Sequence, residues 1–198
     1  DLAISEYNKA LRINPYCVSA YFGRAIVYDY KEMLDQAIDD YTRVIWIYPY
    51  FAEAYSNRSF SYNKKGNSDQ AVTDEDRAVQ LNSSFAEAYY NRGMAYFSKT
   101  NFEQAIADYN KAIEINPKCA GVYCNRGLAY SFKKDLDHAI ADYTKAIELK
   151  PDFSIAYWQR GLNYEMKRDR DKALADYTKA IEINPACAEA YLFRGNIY

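Results

Sequence analysis

The side chains that could carry chemistry are few, and most recur at a fixed interval. His138 is the only imidazole in 198 residues, and Cys17, Cys119, Cys124 and Cys187 are the only thiols. Nucleophilic catalysis needs a nucleophile, a base and an orienting group in one cluster. A structural zinc site needs four closely spaced ligands. One histidine cannot build a His-based metal cluster, and no two cysteines have CxxC spacing. No Gly-rich phosphate loop occurs. Cys124 is expected on an accessible helix face, but nothing basic is placed to activate its thiol. The chain is therefore expected to be no enzyme, and to hold no metal and no cofactor.

The recurring polar residues suggest recognition instead. Asn57, Asn91 and Asn125 stand 34 residues apart, and Gln159 follows at the same interval. A primary amide offers donors and an acceptor, which match those of one extended peptide unit. Two readings are open: the amides hold the backbone of a bound segment, or they bond neighbouring helices of the scaffold. Arginine recurs at the same interval, as Arg24, Arg58, Arg92, Arg126, Arg160 and Arg194. So does an acid, as Glu6, Asp40, Asp74, Asp108, Asp142 and Asp176. An unpaired inward guanidinium would cost several kcal/mol. A ladder of ion pairs is therefore expected, either within a repeat or across adjacent ones, with phosphate binding the less favoured role for these arginines.

These residues are positioned by a repeat covering the whole chain. Residues 18–51, 52–85, 86–119, 120–153 and 154–187 align without a gap, after a half-repeat at 1–17 and before a partial one at 188–198. The chain 1–198 thus reads as a single array, numbered here in columns 1–34 from residue 18. Columns 4 and 11 are tyrosine throughout, from Tyr21 and Tyr28 to Tyr191 and Tyr198. Column 24 is tyrosine except at Glu75, and column 20 is always alanine. Columns 4, 11 and 24 take up 17 of the 22 tyrosines, so most of the aromatic excess belongs to the scaffold. Columns 1–14 and 18–31 lack proline and show apolar spacing of three and four, which predicts two helices per repeat. Proline at column 32 should stop the second helix, with Ser83 the exception. Short polar links make the helices antiparallel neighbours. Small residues at columns 8 and 20 should let the backbones approach, with the tyrosines filling the wider gaps.

Composition narrows the function. The chain is 49% hydrophobic, which excludes disorder, and 25 basic against 27 acidic residues leave no footprint for a polyanion. Nucleic acid is not an expected partner. No apolar run is long enough to cross a bilayer, so no membrane partner is expected either. Unpaired cysteines suit a reducing, cytoplasmic location.

The pattern of aromatic at column 4, small at 8, Tyr at 11, Ala at 20, aromatic at 24, Ala at 27 and Pro at 32 resembles the tetratricopeptide repeat (TPR) family over the whole chain. The resemblance implies an all-α, right-handed superhelical α-solenoid of antiparallel helix pairs, its concave face lined by the first helix of each pair. It also implies a module that binds a protein or peptide. The amides of column 6 are similar to the Asn ladder with which the TPR array of O-linked N-acetylglucosamine transferase holds peptide backbones. The TPR adaptors that grip acidic tails require Lys at column 5 and basic residues at columns 2 and 6. Column 5 here has no Lys, and column 2 holds Glu53, Glu87 and Glu189. That clamp is absent.

On a helix packed from one side, columns 5, 6, 9, 12 and 13 should be polar. Here they carry Phe60, Tyr90, Met94, Phe97, Leu128, Phe132, Trp158 and Leu162. Exposed together, such side chains mark an interaction surface. The alternative is that they pack on one another between successive repeats. The expected site is therefore Asn57, Asn91, Asn125 and Gln159 together with those eight apolar residues. Two further readings stand beside a peptide-binding module. One is a self-assembling homo-oligomeric scaffold, since the partial units at the ends expose complementary faces suited to head-to-tail association. The other is the substrate-recruiting arm of a larger enzyme, the chain looking like a fragment of a longer array. Repeat 52–85, with Glu75, Ser59, Ser61, Ser68 and Ser83 at scaffold columns, should be the softest unit.

Overall fold

The computed structural model of the protein describes residues 2–197. Asp1, and Tyr198 of the column-11 series, lie outside the described residues. Among the described residues the chain forms helices and no strand: α1 (Leu2–Ile13), α2 (Val18–Tyr30), α3 (Leu34–Ile47), α4 (Ala52–Lys64), α5 (Ser68–Leu81), α6 (Ala86–Ser98), α7 (Phe102–Ile115), α8 (Ala120–Phe132), α9 (Leu136–Leu149), α10 (Ser154–Met166), α11 (Arg170–Ile183) and α12 (Ala188–Ile197). This is the all-α solenoid architecture of antiparallel helix pairs. The described residues pack as two compact units, one ending at Thr100 and the other beginning at Asn101. Within the first, α1 to α6 pack in chain order, and within the second α7 to α12 do the same.

Local chemistry explains the helix ends. Column 15, the turn between paired helices, has positive φ at Glu32, Gly66, Thr100, Lys134 and Arg168. The next N–H bonds back to the column-11 carbonyl, as from Asn67 to Tyr62 and from Asp135 to Tyr130, both at 2.9 Å. That is a Schellman cap, a motif that favours glycine at the left-handed position. Only Gly66 supplies one. At the other end, α5 stops at Leu81 although Ser83 replaces proline. There Asn82 closes an Asx turn, its Oδ1 accepting from the Ser84 N–H at 3.1 Å. Asn14, Asn116 and Asn184 make the same turn. Proline was expected to stop the second helix; in repeat 52–85 the asparagine turn does so without it.

The core also differs from expectation. The fully buried rings are those of column 24, Tyr41, Tyr109, Tyr143 and Tyr177. They lie on small residues of the facing helix: a Cβ added to Gly161 would stand 2.8 Å from the Tyr177 ring, so only glycine fits there. The tyrosines of columns 4 and 11, expected to fill the gaps, are mostly half-buried. They flank the arginines, as Tyr157 and Tyr164 do with centroids 5.7 and 5.9 Å from the Arg160 guanidinium.

Arg24, Arg58, Arg126 and Arg160 form the expected ion pairs within their own repeats, with a further neutral hydrogen bond to the preceding repeat. Arg92 pairs with Asp76 of the preceding repeat at 2.7 Å. Arg58 holds Asp74 of its own repeat through Nε and Nη2 at 2.8 and 2.7 Å. Its Nη1 reaches Thr42 of the preceding repeat at 2.9 Å. Arg126 does the same with Asp142 and Asn110, and Arg160 with Asp176 and Thr144. Arg24 likewise joins Asp40 to Asn8. The acidic partner is the main cause holding the Arg24 and Arg160 guanidiniums above their ordinary pKa. One side chain therefore ties three helices, which fixes the register of each repeat on its predecessor. A second ladder runs along the exposed edge, pairing Lys65 with Asp35, Lys99 with Asp69, Lys133 with Glu103 and Lys167 with Asp137. Exposed, solvent-screened pairs of this kind add little to stability.

Repeat 52–85 has a polar interior. Glu75 takes the tyrosine position of column 24 and is fully buried. Ser56 Oγ donates to its Oε1 at 2.9 Å, and Asn91 Nδ2 donates to Ser56 Oγ at 3.1 Å. Glu75 Oε2 and Ser59 Oγ have no hydrogen-bond partner among the described residues. Burial pushes the Glu75 carboxyl up to about 8, against the pull of those polar neighbours.

Candidate functional site

In the first unit, the first helices α2, α4 and α6 carry the residues expected to face a partner. They enclose, with Tyr41 of α3, a concavity of about 390 Å3 lined by Ile26, Asp29, Asn57, Phe60, Glu87, Tyr90, Asn91 and Met94. Five residues named from the sequence meet there: Asn57, Phe60, Tyr90, Asn91 and Met94. Ile26 and Phe60 are exposed, whereas Tyr90 and Met94 are half-buried. The two amides are not equivalent. Asn91 is buried, its Nδ2 held by Ser56, while Asn57 is half-buried and interacts with the Tyr41 hydroxyl. Phe97 lies half-buried on α6, outside this concavity.

Asp29, Tyr41 and Glu87 were missed from the sequence. Asp29 is half-buried, and its two carboxylate oxygens accept from Ser61 at 2.6 Å and Tyr41 at 2.9 Å. Burial pushes its carboxyl above the usual range, while the hydroxyl donors pull it back. Burial likewise raises the Tyr41 hydroxyl, helped by the Asp29 charge. The signal was present: Glu87 lies in the acidic column that argues against an acidic-tail clamp, and Asp29 lies in column 12 beside the apolar stripe.

In the second unit the expected residues occupy α8 and α10. Asn125, Gln159, Leu128 and Leu162 are half-buried. Phe132 is exposed and stacks on Phe102 at 5.3 Å. Trp158 stacks on Phe193 at 6.3 Å and packs against Ala180, Cys187 and Ala190. Column 5 is thus largely a packing position: Ser56 and Cys124 are buried and Phe22 lies on Phe51. This corrects the placement of Cys124, expected on an accessible face. Burial pushes its thiol up to about 12, which leaves no thiolate nucleophile at neutral pH. His138 is exposed, with Nδ1 2.8 Å from Asp135 and its ring stacked on Tyr130. No group of three His, Cys, Asp or Glu among the described residues could hold a metal ion, and no helix there is long and apolar enough to cross a membrane.

One exposed aromatic group lies away from this site. Tyr16 stacks on Trp46 at 6.2 Å, with Tyr48 and Tyr50 exposed in the following turn. Columns 29 and 31, which hold Trp46 and Tyr48, carry only Arg, Gln or Glu and only Asn or Lys in the other repeats. Comparing columns would have found it.

Stacked helix pairs joined by an arginine ladder, with apolar and amide side chains left on the first helices, define a repeat scaffold of the protein-interaction class. Tetratricopeptide repeat models match residues 19–49, 86–119, 120–153 and 154–187, and a further TPR repeat model matches 60–99. The chain belongs to the tetratricopeptide repeat family, whose members are generally non-catalytic modules for protein–protein interaction. A crystal structure of MamA is 33% identical with a TM-score of 0.74, covering 83% of this chain and 96% of that one. YrrB, a TPR protein described as having an unusual peptide-binding site, is 22% identical with a TM-score of 0.73 over 96% of this chain and 97% of its own. The Cut9–Hcn1 complex of APC/C gives a TM-score of 0.86 at 21% identity, covering 98% of this chain and 39% of that chain. The last two similarities concern the fold alone. No curated protein sequence matches the chain.

Proposed function

We propose that the chain is a peptide-binding module that holds a segment of a partner protein against the first helices of its repeats. The supporting observation is the concavity of the first unit, where exposed Ile26 and Phe60 stand beside the Asn57 and Asn91 amides. Apolar side chains left exposed around a recess make an anchor site for a partner's apolar group. Asn57, half-buried, is the backbone clamp of this pair, and Asn91 holds the wall through Ser56. In the second unit the corresponding contacts are Asn125, Gln159, Leu128, Phe132 and Leu162, with Trp158 contributing its accessible edge.

The test compares pull-downs by the intact protein and by a Phe60→Ser, Met94→Ser variant of equal helicity and melting temperature. Loss of a partner from the variant supports the reading. A partner set unchanged by both substitutions refutes it, and a mass that rises with concentration and masks the same residues would assign the surface to self-assembly.

A further inference from the structure

The concavity of the first unit has a chemical polarity that names its ligand more closely. Its walls are the side chains of Ile26, Tyr41, Phe60, Tyr90 and Met94, and its two charged liners, Asp29 and Glu87, are both acidic. No lysine or arginine lines it. Asp29 is satisfied by two hydroxyls but makes no ion pair among the described residues. Lys64, whose charge reaches Asp29, is bonded to Glu32 at 2.7 Å and lies over the Phe60 ring. Behind the wall, the buried Glu75 keeps one oxygen without a partner, its other oxygen being joined through Ser56 to Asn91 at the lining.

A half-buried carboxylate that has hydroxyl donors but no directly bonded cation keeps the capacity to compensate an arriving positive charge. Lysine and arginine carry an apolar stem ending in a charge, so rings can pack the stem and carboxylates receive the head. We propose that this concavity receives a lysine or arginine side chain of an extended partner segment, with Asp29 and Glu87 compensating its charge. This rests on the groove reading above and adds the partner's chemistry to it. An acidic or phosphorylated segment would meet like charge here and be rejected.

The experiment selects a displayed random peptide library against the full chain and keeps the binders that Phe60→Ser abolishes. The expected binders share one Lys or Arg and weaken as salt rises. Asp29→Asn weakens them about thirtyfold, the loss typical of removing one side of a desolvated charge pair. Glu87→Gln, at an exposed position, weakens them about threefold without touching the core. Replacing the peptide's basic residue with Met gives the same loss as Asp29→Asn, and combining the two adds little more. Phe60-dependent binders without a shared basic residue, or rich in acidic ones, overturn this proposal and leave the groove reading standing. If no binder depends on Phe60, both fall.

Discussion

Replacing Glu75 with glutamine should flatten the pH dependence of stability. The Glu75 carboxyl is pushed up from an ordinary 4.5 to about 8 because the folded chain removes it from water. Below pH 4.5 it is protonated in both the folded and unfolded chain and makes no difference to stability. Above that value the unfolded chain releases its proton and the folded chain keeps it, so stability falls by about 1.4 kcal/mol for each pH unit. The loss reaches about 3 kcal/mol at pH 7 and levels off near 5 kcal/mol above pH 8. Glutamine keeps an oxygen to accept from Ser56 and does not ionise. Its amide nitrogen would replace Oε2, which lacks a partner, and that change costs the same at every pH. Asp29 and Asp74 are also pushed up by burial, but both remain in either protein. The difference between the two proteins therefore isolates Glu75. Urea unfolding followed by circular dichroism from pH 4.5 to 8.5 measures it. The gap should widen in favour of glutamine by about 3 kcal/mol between pH 4.5 and 7. A constant gap would refute a buried, neutral carboxyl in this repeat.

Four further substitutions test the scaffold. Thr100 holds φ of 58° and is β-branched, so Thr100→Gly should raise stability by about 1 kcal/mol in thermal melts. Gly66→Ala, whose added Cβ would meet nothing within 4 Å, should lower it by about the same amount through backbone conformation alone. Arg126→Lys loses the two-pronged bond to Asp142 and the third arm to Asn110, and should cost about 3 kcal/mol in urea unfolding. Lys167→Ala, on the exposed ladder, should cost no more than about 0.5 kcal/mol in the same assay.

The helix pairs, their approximate ends and the arginine–carboxylate ladder were legible because each is imposed again in every repeat. A constraint seen at Arg24, Arg58, Arg126 and Arg160 with an acid 16 residues on cannot be read as chance. The ladder's third arm was less visible, because column 25 varies between Asn, Thr and Asp and only shares the ability to accept a hydrogen bond. The site was partly legible for a related reason. Phe60 and Met94 depart from the polar face a one-sided helix should show, so they drew notice. Asp29 and Glu87 did not, since a charge on an outer face is ordinary until its neighbours are known.

Periodicity alone, through side chains returning every 34 residues, determined the family, the paired helices and the direction in which each column points. A helical wheel states direction and says nothing of depth. Depth is set by what the adjacent helix places opposite. The Asn91 amide meets Ser56 and is drawn into the wall, Asn57 remains half-buried, and Glu75 ends with one oxygen unmatched where other repeats bury a ring. Only the packed structure could decide those, because burial belongs to pairs of elements and never to one helix by itself.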